Sequence, residues 1–438
     1  MLLCLSAVTA GLMLRVPPAF CENGIVERVL NLEKSIYYAH KNRSEILIME
    51  RGVGLAKEKL SEARSFRYPK IDLMFNYSKI DDGRSSSNLS PFVLSPNFGS
   101  LMIPQSVDQY YFTRLSLWQV LYSGGKYTSS LKLASSNFSK AKNLLNIAKN
   151  NAAYEVKGAF YELLFMEAEI SAYEEILPEM EKYETAPDRI NYRGRNEGKL
   201  RINSVINKTR DRYTELKEKD YPGEKLDFLD TIGVELDVVF GIEGEFAPVT
   251  DDYEVRELLA WAFQHRSEPR QIQVEEEMDS LSMKLSMSAR FPELALGMHY
   301  DFGSEESLGF GERVGIISLN LNFPLFDGWA SWSRVSQRKA QLHQNKLKRG
   351  DIEDSIRLEV RKAHNDYRFW VKELSKRWDK LEALKRVSHN MKAGSPEVSV
   401  EFYKAYLHAK IRYLESVCRN LVSFAALEHA VGKSLKPE

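Results

Sequence analysis

Between Lys126 and Leu177 the chain contains one glycine, Gly158, and no proline. Along this stretch Leu131, Ala134, Phe138, Ala141, Leu145, Ala148, Ala152, Val156, Ala159, Leu163 and Met166 recur at intervals of three and four. Such spacing lays apolar side chains along one stripe of an α-helix. Carried on to Tyr183, about 58 residues at 1.5 Å each give roughly 87 Å of helix. A helix that long exceeds the 8–20 residues usual in globular domains and needs coiled-coil-like partners along its length. From Trp332 to about Met391 a second pattern of similar length follows, weakened only at Gly350.

Each long helix is preceded by a strand. In RVGIISLNLNFPLFDGWASW (Arg313–Trp332), Ile317, Leu319, Leu321, Phe323 and Leu325 alternate with Ser318, Asn320 and Asn322. Period two over this length predicts a strand with one apolar and one polar face. Thr113–Tyr127 (TRLSLWQVLYSGGKY) repeats the arrangement, so Gly124, Gly125, Asp327 and Gly328 mark two strand-to-helix junctions.

The remaining elements fall into the same order twice. Ile25–Phe66 reads as helix, locally weakened at Gly52 and Gly54, and ends at Tyr68-Pro69. Ile71–Ser78 alternates as a strand, and Asp81–Ser106 reads as a long exposed loop. After the first long helix come Pro187 and a polar tip with Asp188, Arg189, Arg193, Gly194, Arg195, Glu197 and Gly198. A returning helix over Lys199–Lys219 is interrupted at Tyr221-Pro222-Gly223, and Leu226–Glu245 reads as a connector. Asp252–Ala289 is helical with a break expected near Pro269, Leu294–Tyr300 alternates, and Asp301–Glu312 is a shorter loop. Ala393-Gly394-Ser395-Pro396 forms the second tip, and Glu397–Val431 returns as a helix stopped by Gly432.

The two halves align residue by residue. Ala39–Glu45 (AHKNRSE) matches Ala262–Glu268 (AFQHRSE), and Arg67-Tyr68-Pro69 matches Arg290-Phe291-Pro292, both at an offset of 262 − 39 = 290 − 67 = 223. Beyond the loops the offset becomes 204: Gly124 pairs with Gly328 and Glu155-Val156-Lys157 with Glu359-Val360-Arg361. The difference of 19 equals an extra length of the first loop region, as a duplication followed by a loop change would leave. The division expected is a signal peptide at 1–21, a first repeat at 22–245 and a second at 246–438.

Lys+Arg and Asp+Glu both number 61, without the basic excess of a nucleic-acid binder. Leu2–Leu14 followed by Arg-Val-Pro-Pro-Ala reads as a secretory h-region, with cleavage after Ala19 or after Cys21. Cys21 is either a lipidated N-terminal residue or an ordinary one closing the signal; Phe20 is bulky for the former. With Cys4 and Cys21 in or beside the signal, Cys418 leaves no disulfide framework. The eight histidines show no metal-ligand spacing, and Cys418 has no base beside it, so neither a metal site nor a catalytic residue is expected. Ser123-Gly124-Gly125-Lys126 resembles a phosphate loop but has Val120 where the first glycine belongs, and Gly328 repeats Gly124 without a following lysine. Trp118, Tyr122, Phe326, Trp329 and Trp332 read as an interface girdle or as a ligand-stacking site.

Four strands leave open edges, which must be paired or covered, and in lipid must be closed. An apolar face opposite Ser318, Asn320 and Asn322 suits a barrel with lipid outside and water in the lumen. The two Pro-ended helix-to-strand joins, LSLWQVLYSGG and LNLNFPLFDGW ahead of the long helices, and the paired AxxxRSE segments resemble the TolC-like outer-membrane efflux protein family over essentially the whole mature length. The resemblance implies a mainly α chain with membrane β, built as two repeats of helix, strand, strand and long helical hairpin. It implies a homotrimer whose twelve-stranded β-barrel continues as an α-helical tunnel, in outer-membrane lipid, with a large periplasmic part. It further implies a passive exit duct for efflux or type I secretion, without cofactor. An inner-membrane pump would be met through a periplasmic adaptor at the tips carrying Asp188, Arg189, Arg193, Gly194, Arg195, Gly198, Ala393 and Gly394. The tip arginines are gate or docking residues or a solvated loop. From a different class, the alternative is a non-channel periplasmic coiled-coil scaffold or adaptor, although no lipoyl-like or barrel domain interrupts the hairpins.

Overall fold

The computed structural model describes residues 29–79, 92–93, 100–101, 109–184, 195–304, 312–390 and 396–435. In chain order the elements are β1 (Val29–Leu30), α1 (Leu32–Asn42), α2 (Ser44–Ser65), β2 (Lys70–Lys79), β3 (Phe92–Val93), β4 (Ser100–Leu101), β5 (Gln109–Tyr122) and α3 (Lys126–Glu181). There follow α4 (Arg195–Glu215), a π-helical turn (Leu216–Asp220), α5 (Tyr221–Ile232), β6 (Gly241–Ile242), α6 (Val255–His265) and α7 (Ser267–Ser288). Strands β7 (Glu293–Ser304) and β8 (Glu312–Asn322) then lead to α8 (Ala330–Asn390) and α9 (Pro396–Val431). The long helices have 56 residues in α3 and 61 in α8, about 84 and 92 Å at 1.5 Å per residue.

The described residues form two compact units that cut across the repeats. One gathers residues up to Arg43, Ala152–Thr250 and Tyr367–Ala425; the other gathers Ser44–Asn151, Asp251–Asp366 and residues from Ala426 onward. In the first unit two apolar clusters form the core. Val156, Phe160 and Leu163 of α3 pack with Leu30, Ala39, Phe228 and Ile232. Farther along α3, Ala172, Ile176 and Met180 pack with Ile202 and Ile206 of α4 and with Val400 and Leu407 of α9. Charge is zoned here: Glu174, Glu175 and Glu181 on α3 meet Lys217, Lys410 and Arg210.

The second unit holds a four-stranded antiparallel sheet in the order β2-β5-β7-β8. Its register aligns apolar rows across all four strands. Ile71, Leu117, Met298 and Ile317 form one row, and Leu73, Leu115 and Tyr300 share another with Gly315. Among the described residues nothing covers this face, leaving Leu73 72% and Ile317 73% exposed.

The sequence motifs prove to be contact points. The helix expected over 25–66 breaks at Arg43 (ψ 125°), and the break expected near Pro269 lies instead at Arg266 (ψ 145°). Pro269 is the third residue of α7, where the N–H it lacks has no helical partner. Apolar periodicity carries across both breaks, so it could not reveal them. In each repeat the RSE arginine reaches the glutamate of the second motif: Arg43 Nη1 lies 2.5 Å from Glu155, and Arg266 Nη1 lies 2.5 Å from Glu359. Arg266 also holds Glu268 through two bonds of 2.7 and 3.2 Å and donates to the Ala430 carbonyl at 3.3 Å. Burial works against ionisation of Glu268, yet the Arg266 bonds hold it below the usual glutamate range.

A glycine completes each node. Gly233 and Gly432 end α5 and α9 with φ of 69° and 72°, and the following amides, of Val234 and Lys433, bond back to Leu229 and Glu428 as in a Schellman cap. A Cβ on Gly233 would sit 2.9 Å from the Arg43 nitrogen, and one on Gly432 would sit 3.2 Å from the Arg266 nitrogen.

Four further expectations are corrected. Pro222 does not interrupt the returning helix: the π turn widens the backbone just before it, and the helix runs on through Phe228 and Leu229 to Ile232, into the segment read as a connector. Strand β8 stops at Asn322 instead of Leu325, because Pro324 lacks a ladder donor and restricts Phe323. Strand β7 extends to Ser304, so the loop after it is shorter than Asp301–Glu312. Strands β3 and β4 pair within the long loop, which is therefore not wholly irregular.

Candidate functional site: the polar sheet face and the strand–helix junctions

Ser318, Asn320 and Asn322 lie on the face opposite the apolar rows, where Ser318 donates to the Gly297 carbonyl at 3.4 Å and Asn320 to Ser318 at 3.1 Å. This face is less uniformly polar than alternation suggested: Met74, Phe112, Trp118 and Ile316 share it by register. Trp118 lies over Gly297, where a Cβ would come within 3.2 Å of its ring.

The strongest polar contact on this face escaped sequence reading. Arg114 of β5 stands directly opposite Asp301 of β7 and binds it in a bidentate pair at 2.7 and 2.8 Å. The side chains are 12% and 15% exposed, with Phe112 beneath the guanidinium. Neither residue recurs in the repeat, since 114 + 204 = 318 and 301 − 223 = 78 are both serines. Only the register of two strands from different repeats brings them together.

At the first junction Gly124 and Gly125 adopt φ of 59° and 84°; at the second Gly328 and Trp329 adopt 63° and 67°. Two successive left-handed residues thus turn each strand into its long helix, and the second pair contains a tryptophan in a conformation that L-residues disfavour. Space differs between the two. A Cβ on Gly124 would fall inside the Phe291 side chain, whereas one on Gly328 would meet nothing within 4 Å. Asp327 accepts from the Ser331 amide at 2.8 Å and caps α8, and this bond holds its carboxyl below the usual aspartate range. Phe326, Trp329 and Trp332 cluster with centroids 6.2 and 6.3 Å apart, and Arg290 stacks 4.0 Å from the Trp332 ring.

Of the tip residues, Asp188, Arg189, Arg193, Gly194, Ala393 and Gly394 lie outside the described residues. Arg195 opens α4. Gly198 lies against the Glu397 carboxylate of α9, which a side chain there would displace. The described arginine that does make tip-side carboxylate pairs is Arg210, with Glu181 at 2.7 Å and Glu184 at 3.2 Å.

No family model and no curated protein sequence matches the chain. Solved structures do. VceC, an outer membrane protein of Vibrio cholerae, matches at TM-score 0.74 and 14% identity over 92% of this chain and 97% of its own. The Campylobacter jejuni CmeC outer membrane channel matches at 0.73 and 14% over 92% and 85%. The open state of the Neisseria gonorrhoeae MtrE outer membrane channel matches at 0.71 and 14% over 92% and 89%. The chain has the fold of the TolC-like outer-membrane channels.

Within that fold the sheet and the long helices take the order expected from the duplicated pattern. Among the described residues no helix is long and apolar enough to cross a membrane, and no three His, Cys, Asp or Glu side chains gather as metal ligands.

Proposed function

We propose that this chain is the protomer of a passive outer-membrane exit duct. The carrying observation is the sheet: among the described residues its apolar face is uncovered and its edges on β2 and β8 are bare, and β5 and β8 lead into helices of 56 and 61 residues. Strands of 10, 14, 12 and 11 residues meet the 9–11 needed to cross a bilayer at a tilt. Lipid supplies no hydrogen bonds to an edge, so four strands in a membrane need partner chains.

Three copies would close a twelve-stranded barrel, with the rows of Ile71 and Leu73 toward lipid and Ser318, Asn320 and Asn322 toward the lumen. Gly124, Gly125, Asp327 and Gly328 would then join barrel to tunnel, and the hairpin ends around Gly198 would meet a periplasmic adaptor that links the duct to an inner-membrane pump. Efflux and type I secretion both fit this arrangement. The same reading makes residues 1–21 an export signal and 22–245 and 246–438 duplicated halves.

The test is reconstitution. The protein purified from membranes should cross-link as a trimer and produce discrete conductance steps in planar bilayers. Recovery of a carbonate-extractable monomer without conductance would remove the duct and favour a periplasmic scaffold.

A further inference from the structure

A groove of about 240 Å³ lies between α4 and α9, with Tyr173 of α3, Leu407 and Ile411 forming an apolar floor. Its rim carries Lys208 and Arg212 from α4 and Lys404 and His408 from α9, and none of its described lining residues is an acid. Elsewhere in this unit Arg210 binds Glu181, Lys217 binds Glu174, and Arg419 binds Glu162. Arg212 is held by Glu215 and Asp220 of its own chain segment and interacts with the buried Glu169 of α3, as does Tyr173, though none of these acids lines the groove. Among the described residues Lys404 pairs only with the exposed Glu401, at 3.6 Å. Among the described residues Lys208 and His408 make no hydrogen bond or ion pair.

A larger cleft of about 370 Å³, in the sheet-bearing unit, carries the opposite chemistry but no free charge. Its Glu268 and Glu359 are bound by Arg266, and its Glu275 by Lys140 at 2.7 Å. Of the two, the α4–α9 groove is the one whose lining joins apolar surface to cations without a carboxylate.

We propose that this groove binds a small amphipathic organic anion, an aromatic carboxylate or sulfonate. The ring would lie against Tyr173 and Ile411, and the anionic group would accept charge-assisted hydrogen bonds from Lys208 and Lys404. As a contact for cargo the site rests on the exit-duct reading; binding itself does not.

The test is calorimetric titration of 2-naphthoate into the purified full-length protein, against detergent blanks. Saturable binding is expected, at least tenfold weaker in Lys208→Gln/Lys404→Gln and abolished by Val205→Trp, since Val205 of α4 lines the groove and a tryptophan there fills it. The neutral alcohol and the ammonium analogue of the same ring should bind at least tenfold more weakly than the carboxylate. Absence of saturable binding, unchanged affinity in the lysine variant, or equal binding of all three probes overturns the proposal. Circular dichroism of each variant identifies loss of fold, and the lysine variant decides the matter where Val205→Trp does not fold. A protein that binds naphthoate without forming a pore upholds the site and removes the duct; a pore that ignores naphthoate removes the site alone.

Discussion

Truncating Arg266 to alanine tests whether the repeated nodes are equivalent. Arg266 is 7% exposed and loses three bonds to carboxylates and one to a carbonyl, leaving Glu268 and Glu359 without their cation. Breaking a buried pair from one side costs about 3–5 kcal/mol. Glu359 is 51% exposed and rehydrates, which places the expected cost near the lower end, about 3 kcal/mol. Arg43 is more accessible, and its truncation releases Glu155 to solvent at a cost of about 1 kcal/mol. The difference of about 2 kcal/mol corresponds to roughly a thirtyfold change in the unfolding equilibrium. Guanidinium unfolding followed by tryptophan fluorescence at one protein concentration measures it, with unfolding rates compared where refolding is incomplete. A double-mutant cycle of Arg266→Ala with Glu359→Ala should show a coupling of at least about 1 kcal/mol. Equal costs at Arg43 and Arg266, or a coupling near zero, would refute this account of the node.

The junction glycines should separate strain from space. Gly328→Ala meets only the left-handed penalty of about 1 kcal/mol, whereas Gly124→Ala must also displace Phe291, adding about 1–3 kcal/mol; thermal unfolding of the two variants ranks them. Asp327 has a depressed pKa, so its contribution is present above the ordinary aspartate range and is lost as pH falls through the folded value. Asp327→Asn should accordingly lower the unfolding temperature at neutral pH, with the gap to wild type closing in acid. Cys418 is buried, and desolvation pushes its thiol up, so maleimide should label this site only after denaturation, as read by peptide mass spectrometry.

Sequence reasoning reached the elements whose signal is local and repetitive. The long helices, the alternating strands, the junction glycines and the glycine stop of α9 follow from spacing over neighbouring residues. The AxxxRSE and Glu-Val-Lys/Arg matches were visible as duplications, but that each arginine reaches the glutamate of the other motif required the fold. Residues 112 positions apart at Arg43 and Glu155 leave no spacing to read. Gly233 was hidden differently: it sits in a Gly-punctuated stretch, so its role as the counterpart of Gly432 emerged only from its φ and its contact with Arg43. Arg114 and Asp301 belong to no motif at all. The tip residues singled out from their charge are largely outside the described structure, and the pairing found nearby uses Arg210 instead.

The bare edges of β2 and β8 have a thermodynamic consequence. Among the described residues neither has a strand on its outer side, so one chain alone cannot satisfy its own backbone in a lipid medium. If three chains complete the sheet, folding becomes a third-order equilibrium, and no protomer has a stability independent of how many others are present. Diluting the chains in the membrane would then act as a denaturant. A destabilising substitution anywhere in the sheet would be masked at high expression and exposed at low expression, with no change in the mutation itself.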